Sequence, residues 1–355
     1  MGTGPLARRL YFPALRTLQQ TNALVVHSVV EASGRDSEAA VETFPQAACA
    51  GSIDAVDARP HALVIVATPG RLRAAHAAAA LKRGWHVLCA SPLAPNARDA
   101  AVMIAGAQRH ERLLAVDLRA RYFPAARFLR VLCRDHLLGP PLSFRVHAGE
   151  TPLGASEGGA AGKVEHPDGA LAALGLPSLE LLTWCFGNAA IVRYADDAMG
   201  GVEANAVIEL SFREGVRGTV HLSRDWPLET SATFVFERGI VRWTGGRVNA
   251  LTLQFASTPF ALAGEFAPPL TTHDAVSPGP VVATDDQACI VQLENILAAI
   301  AGRAALHAPA TEAMHSLPLI EACYAQRSPL TQPWLSRNDE VHARALSPPS
   351  LLRRP

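Results

Sequence analysis

Short apolar runs separated by Ala-rich, helix-like stretches fill the first third of the chain. Residues 23–31 (ALVVHSVVE), 62–67 (ALVIVA), 85–89 (WHVLC) and 113–116 read as strands. Between them, helices are predicted at 37–44, 72–83 and 98–110. Strands alternating with helices of this length form right-handed β-α-β crossovers and a parallel sheet. The rhythm changes near residue 120. Helices are predicted at 124–133 and 170–186, among strand-like runs at 142–149, 191–195, 204–212, 218–223, 232–237 and 240–243. Their close spacing, with turns such as Arg213-Glu214-Gly215, implies an antiparallel or mixed sheet. Helices at 287–300 and 316–323 follow, then a Pro- and Arg-rich end. The pattern divides the chain into an α/β domain over 1–120, an α+β domain over 121–335 and a flexible tail over 336–355.

Composition narrows the classes of function. The 355 residues are 49% hydrophobic and 18% charged, enough for two cores. Lys+Arg and Asp+Glu are both 32, so no basic excess exists to neutralise a nucleic-acid backbone. No apolar run reaches the roughly 20 residues of a membrane span. The N-terminus does not read as a secretory signal, and a cytoplasmic location is expected. The six cysteines are widely spaced without a C-x-x-C pair. Reduced thiols are expected, with no zinc site or disulfide framework. The histidines show no metal-ligand spacing either. Only Lys82 and Lys163 carry lysine chemistry.

The chain opens on Gly2-Thr3-Gly4-Pro5-Leu6-Ala7, a G-x-G-x-x-A run leading into a helix predicted over 8–18. Such a loop lets backbone approach a pyrophosphate and aims helix N-terminal N–H groups at it. Glu31 ends the next strand, 27 residues after Gly4, where an acid accepts ribose hydroxyls. The acid favours NAD by repelling a 2′-phosphate, whereas Ser33 and Arg35 offer NADP a phosphate clamp. The loop should follow a central strand, yet only Met1 precedes it. The expected consequence is a slot between neighbouring strands with unpaired backbone. A truncated start explains it, unless the fold fills the slot some other way.

Further motifs stand in order. They are Gly2-Thr3-Gly4 running into Pro13-Ala14-Leu15; Val66-Ala67-Thr68-Pro69 with His76 and Ala80-Leu81; Gly84-Trp85-His86-Val87-Leu88-Cys89 leading to Pro92-Leu93; Arg121-Tyr122-Phe123-Pro124; and Gly169-Ala170-Leu171, Gly175 and Leu179-Glu180-Leu181-Leu182. On these the chain resembles the Gfo/Idh/MocA family over roughly residues 2–335. The resemblance implies an N-terminal doubly wound Rossmann domain binding NAD or NADP. It implies a C-terminal α+β domain with a large, mostly antiparallel open sheet that covers a sugar-like substrate. It also implies a homodimer or larger homo-oligomer. On the family pattern the cofactor contacts fall on Gly2, Gly4, Leu6, Glu31, Arg35, Thr68, Pro69, His76 and Pro92. Members oxidise a sugar, polyol or related hydroxyl, or reduce the matching carbonyl.

The departures fall on proton handling. Where members carry Glu-Lys-Pro, this chain reads Ala90-Ser91-Pro92. Where they carry Asp-x-x-x-His, it has Ala173 and Pro177. A serine hydroxyl is neutral near pH 7 and a proline carries no titratable group. General acid–base catalysis contributes typically ~10²–10⁴-fold, so the loss is large. Lys163 and His166, in the Gly-rich run 158–168 before that helix, are the replacement candidates beside Ser91. Arg119 and Arg121 follow the strand at 113–116, on the ligand side of an open α/β sheet. They are candidates for an anionic substrate, with an Asp117–Arg119 ion pair as the plain alternative. The functional expectation is an oxidoreductase with a non-standard proton relay. The alternative is an inactive relative that binds a ligand or serves as a partner subunit.

Overall fold

A π-helical stretch, Ala7–Tyr11, runs directly into helix α1 (Phe12–Gln20), whose first turn carries Pro13. Proline suits that turn because its missing N–H would have no intrahelical partner there. Ala7, Leu10, Tyr11, Phe12, Ala14 and Leu18 are buried along this rod, and Phe12 meets Phe44 edge-on at 5.3 Å. The computed structural model describes residues 1–31, 37–57, 59–149, 169–198, 201–225, 228–245, 247–257, 261–265 and 282–330. Arg35, Lys163 and His166 lie outside them, as does the expected tail.

The chain divides into two units. Unit 1 comprises Met1–Phe123 with Ser277–Met314, and unit 2 comprises Pro124–Val276 with His315–Pro355. A continuous second domain over 121–335 therefore does not describe the fold: a late segment returns to unit 1.

In unit 1, β1 (Ser28–Val30), α2 (Ser37–Thr43) and β2 (Ala48–Ala50) precede β3 (Leu63–Val66), α3 (Gly70–Lys82), β4 (His86–Cys89), α4 (Ala97–Arg109) and β5 (Leu114–Val116). All strand pairs are parallel. Asn96 caps α4 by accepting from the Asp99 N–H at 2.7 Å. The expected gap is present: β1–β2 and β3–β4–β5 form separate ladders. Among the described residues, Met1 and Gly2 make the backbone bonds between them. The Met1 amine donates to the Ile65 carbonyl (2.7 Å), the Ala67 N–H donates to Met1 (2.9 Å), and the Gly2 N–H donates to Val30 (3.0 Å). Of the apolar run 23–31, only the three residues paired with β2 are strand.

Unit 2 carries α5 (Pro124–Arg134), β6 (Pro141–Gly149), a π-helical stretch Leu171–Gly175, and α6 (Leu176–Phe186). Strands β7 (Ala189–Asp196), β8 (Asn205–Phe212), β9 (Arg217–Ser223), β10 (Ser231–Phe236), β11 (Gly239–Thr244), β12 (Ala250–Phe255) and β13 (Ala261–Glu265) follow. After α7 (Asp285–Ile300), which belongs to unit 1, come α8 (Leu317–Ala325) and the short β14 (Arg327–Pro329). The nine strands form one sheet in the order β13-β12-β11-β10-β6-β9-β8-β7-β14. Pairing is antiparallel except at β6–β9 and β7–β14. Burial alternates along β8, as expected of a sheet packed on one face. On the packed face Phe186 of α6 lies 5.2–6.1 Å from Phe144, Phe212 and Phe234.

Candidate functional site

In unit 1 the loop residues at the start of the chain meet the C-terminal ends of β1 and β3. Gly2 has φ +84°, and a Cβ there would lie 2.9 Å from Thr68 Cγ2 and 3.1 Å from the Ala67 carbonyl. Only glycine lets the loop cross β3 this closely. At Gly4 a Cβ would meet nothing within 4 Å, so this backbone faces open space as the helix begins. Thr3 is fully buried, and its N–H (3.1 Å) and hydroxyl (2.8 Å) both donate to Glu31 Oε2. Arg8 Nε donates to the Thr3 carbonyl at 2.8 Å. The acid expected beside a ribose thus also fixes the loop's shape.

The β3 end is held by α3. Thr68 Oγ1 and His76 Nδ1 lie 3.0 Å apart, and burial first, then the nearby Met1 ammonium, keeps His76 below its ordinary pKa. Arg73 is buried, donating Nη2 to the Thr68 carbonyl (3.0 Å) and Nη1 to the Pro92 carbonyl. It ties the end of β3 to the segment after β4. Sequence reasoning missed Arg73, although its spacing with Ala77 and Ala80 puts it on the buried face of α3. The Ser91–Pro92 bond is cis. Ser91 Oγ is shielded from solvent without a hydrogen-bond partner among the described residues. Cys89 is no thiolate nucleophile, since burial pushes its thiol up to about 12. His86 is structural: its Nδ1 accepts from the Leu113 N–H at 3.0 Å.

At the β5 end, Asp117 is buried and doubly engaged. Tyr11 donates its hydroxyl at 2.7 Å, and Arg119 pairs through Nε at 2.9 Å. Arg119 also reaches Asp285 of α7 at 2.6 Å, and Arg121 pairs with Glu312 at 2.9 Å. Burial raises the Tyr11 pKa well above its usual value, with the Asp117 charge adding to it, so Tyr11 stays a neutral donor. Both arginines expected to greet substrate are committed to ion pairs within unit 1. Asp285 was not foreseen as a partner because it lies 166 residues from Arg119.

Unit 2 carries the other positions. Ala173 lies in the stretch Leu171–Gly175, and Pro177 in the first turn of α6. Glu203 sets their start. Its Oε1 accepts from the Leu171 N–H (3.1 Å) and the Tyr324 hydroxyl (2.8 Å), and its Oε2 pairs with Arg327 at 3.4 Å. A Cβ on Gly169 would lie 2.0 Å from Glu203 Oε1, so this glycine is what admits the carboxylate. Arg327 also pairs with Asp196 at 2.6 Å. Among the described residues no cluster of His, Cys, Asp and Glu could hold a metal, and no helix is long and apolar enough to cross a membrane. All six cysteines are free thiols.

The unit 1 loop fits a dinucleotide on this geometry: a left-handed glycine packed on β3, open backbone at Gly4, and an acid at the next strand end. Comparison agrees. Residues 1–118 match an oxidoreductase family with an NAD-binding Rossmann fold. Glucose-6-phosphate 3-dehydrogenase of Bacillus subtilis is 29% identical over 147 residues, 41% of this chain and 40% of that protein. The match thus spans about two fifths of the length of this curated relative. Among solved structures, levoglucosan dehydrogenase with NADH and levoglucosan has TM-score 0.76 at 17% identity, covering 91% of this chain and 94% of that one. The WlbA dehydrogenase of Chromobacterium violaceum, with NADH and UDP-GlcNAcA, has TM-score 0.71 at 22% identity, covering 92% and 91%. KijD10, a 3-ketoreductase of Actinomadura kijaniata with NADP and TDP-benzene, has TM-score 0.74 at 17% identity, covering 94% and 98%. These likenesses show the fold: a Rossmann sheet followed by a large, mostly antiparallel sheet. With the loop and the strand ends in agreement, residues 1–118 match the Gfo/Idh/MocA oxidoreductase family with its NAD-binding Rossmann fold.

Proposed function

We propose that the protein is a cytoplasmic NAD(P)-dependent oxidoreductase acting on a sugar, polyol or related hydroxyl or carbonyl compound, with rebuilt proton handling. The observation that carries this reading is the loop Gly2–Gly4, packed on Thr68, open at Gly4 and braced by Glu31. Gly2, Gly4 and Leu6 would hold the pyrophosphate at the helix start. Thr68, Pro69, His76 and Pro92 would border the nicotinamide half. Glu31 would take the ribose hydroxyls and select NAD over NADP. A bound nicotinamide supplies hydride exchange with a substrate carbon. The substrate class follows the relatives, whose names and bound molecules are sugars and sugar nucleotides.

The chain must then move the hydroxyl proton. Ser91 Oγ, shielded and unpartnered, is available to hydrogen-bond a substrate oxygen but not to supply positive charge. Lys163 and His166 remain the proton carriers proposed from sequence. Arg119 and Arg121 would contact an anionic substrate only by sharing their present carboxylate partners. The large sheet is proposed to join copies into a homo-oligomer.

A second reading, a relative that binds ligand without turnover, is favoured by Ser91, Ala173 and Pro177 together. Turnover over a panel of sugars, polyols and sugar acids with NAD and NADP separates the two. The oxidoreductase reading expects saturable cofactor binding and turnover, and Lys163→Ala and His166→Ala each lowering it by at least ~10-fold. Cofactor binding without turnover across the panel would select the silent relative. Full activity in both variants would remove them as proton carriers.

A further inference from the structure

The nine-stranded sheet of unit 2 packs one face against Phe186 of α6. Along β6, Phe144, Val146 and Ala148 are buried on that side, and Arg145 and His147 alternate to the other. β9 does the same, burying Val220 and Leu222 and turning Thr219 and His221 over. β10 buries Ala232, Phe234 and Phe236 and turns Ser231 and Thr233 over. Register sets these side chains in two short rows across three adjacent strands. One row is Thr219, Arg145 and Thr233, and the next is His221, His147 and Ser231.

The rings of His147 and His221 stand edge to face with centroids 5.3 Å apart. Arg145, His147 and His221 make no ion pair among the described residues. The acid on the first row, Glu209, lies beyond Thr219 on β8 and pairs with Arg193 at 3.5 Å. Beyond Thr233 comes Arg242 of β11, which donates to Gln254 at 3.1 Å. Past His221, Asp197 and Asp225 accept from Asn205 Nδ2 at 2.7 and 2.9 Å. Burial first, then the Arg145 charge, keeps His147 below its ordinary pKa. For His221 burial again leads, followed by His147 and Arg145. The trio is thus a set of like charges without a counter-charge facing it.

One class of ligand answers that arrangement. Strands about 4.8 Å apart and rows about 7 Å apart bring the three head groups within reach of a single small anion. The Arg145 fork can donate to two oxygens, each imidazolium to one more, and the hydroxyls of Thr219, Ser231 and Thr233 add neutral donors. A tetrahedral dianion uses that many donors, whereas a planar carboxylate uses fewer. A metal cation would meet the fixed charge of Arg145, and an apolar partner would desolvate the trio without compensation. We propose that Arg145, His147 and His221, with the hydroxyls of Thr219, Ser231 and Thr233, form a binding site for the phosphate group of a small metabolite. The site lies on the sheet face opposite α6 and goes beyond the oxidoreductase reading. A bound dianion favours the charged imidazoles, so affinity rises as pH falls through the histidine range. A phosphate ester takes up its own proton near pH 6, which opposes this. Sulfate stays a dianion there and isolates the protons of the protein.

Calorimetric titration of the full chain at constant ionic strength tests this without dinucleotide or sugar. Sulfate should bind at least ~10-fold more tightly at pH 5.5 than at pH 7.5, the gain from about one proton taken up per pH unit. Glycerol phosphate should compete with sulfate, and acetate should not. Arg145→Gln should weaken sulfate at least ~10-fold, and His147→Gln combined with His221→Gln should remove the pH dependence. Histidine-labelled NMR of the parent needs no variant: two imidazoles should titrate below the ordinary value and move up by at least ~0.5 pH unit when sulfate is added. No sulfate-sensitive imidazole in the parent would overturn the proposal even if the variants failed to fold. Sulfate binding that is independent of pH, or unchanged in Arg145→Gln, would also overturn it, as would competition by acetate equal to that by glycerol phosphate.

Discussion

The two units differ in how completely they pair what they bury. Unit 2 runs nine strands into one unbroken sheet, and its buried acids meet partners: Asp196 has Arg327, while Glu203 has Arg327, Tyr324 and the Leu171 N–H. Unit 1 splits into ladders of two and three strands, bridged by two residues. Its Met1 amine donates to one carbonyl, that of Ile65. The weakly paired region is also the one from which the glycine loop springs. The loop's shape is secured locally, by Thr3 on Glu31 and Gly2 on Thr68. The lesson is that such side-chain ties hold the loop's form.

The largest way to break this contrast is in unit 2. Glu203→Ala would leave Arg327 with a single acid and the Leu171 N–H unanswered. A loss of about 3–5 kcal/mol in urea unfolding is expected for a buried charge network cut on one side. A loss under ~1 kcal/mol would show that unit 2 does not depend on its paired charges. Next is the pH dependence of unit 1. The Met1 amine falls from 8.0 to about 6 on folding, so between these pH values the unfolded chain holds more protons. Stability therefore rises with pH across that window and is lost as pH falls from 8 to 6, by about 2–3 kcal/mol. His76 and His86 are lowered too, which adds in the same direction at slightly lower pH. Urea midpoints at pH 8 and pH 6 measure this, and N-terminal acetylation should flatten the 6–8 portion. A flat profile in the unmodified chain would mean that the amine is solvated. The smallest effect is Thr3→Val, which removes the 2.8 Å hydroxyl bond to Glu31. About 1 kcal/mol is expected, with weaker NADH binding. No change in either would deny the brace its role.

Much of this was legible because periodicity and burial agree. The strands at 62–67, 85–89 and 113–116 and the helices between them appear within a few residues of their predicted bounds. The run 23–31 was overread: apolar content marks a strand, but a ladder needs a neighbour, and only Ser28–Val30 has one in β2. Ala48–Ala50 and Arg327–Pro329 were missed because three residues with no alternation carry no period. The return of α7 to unit 1 rests on long-range packing of Cys289, Leu293 and Ile296 against the first helix, which no local pattern encodes. At the candidate site, spacing placed Glu31 at the end of the strand after the loop, where it bonds Thr3. Arg73, Asp285 and Glu203 were not, since each acts through partners set by the tertiary fold.

The most direct test of the central claim uses Gly4. A Cβ there meets nothing within 4 Å, so Gly4→Val should fold and melt like the parent while placing bulk where a pyrophosphate would approach. Titrating both proteins with NADH and NADPH, followed by nicotinamide fluorescence, should show saturable binding in the parent. In the variant, binding should be weakened at least ~100-fold with an unchanged melting curve. No binding by the parent, or equal binding by Gly4→Val, would contradict the assignment of this loop as the dinucleotide cradle.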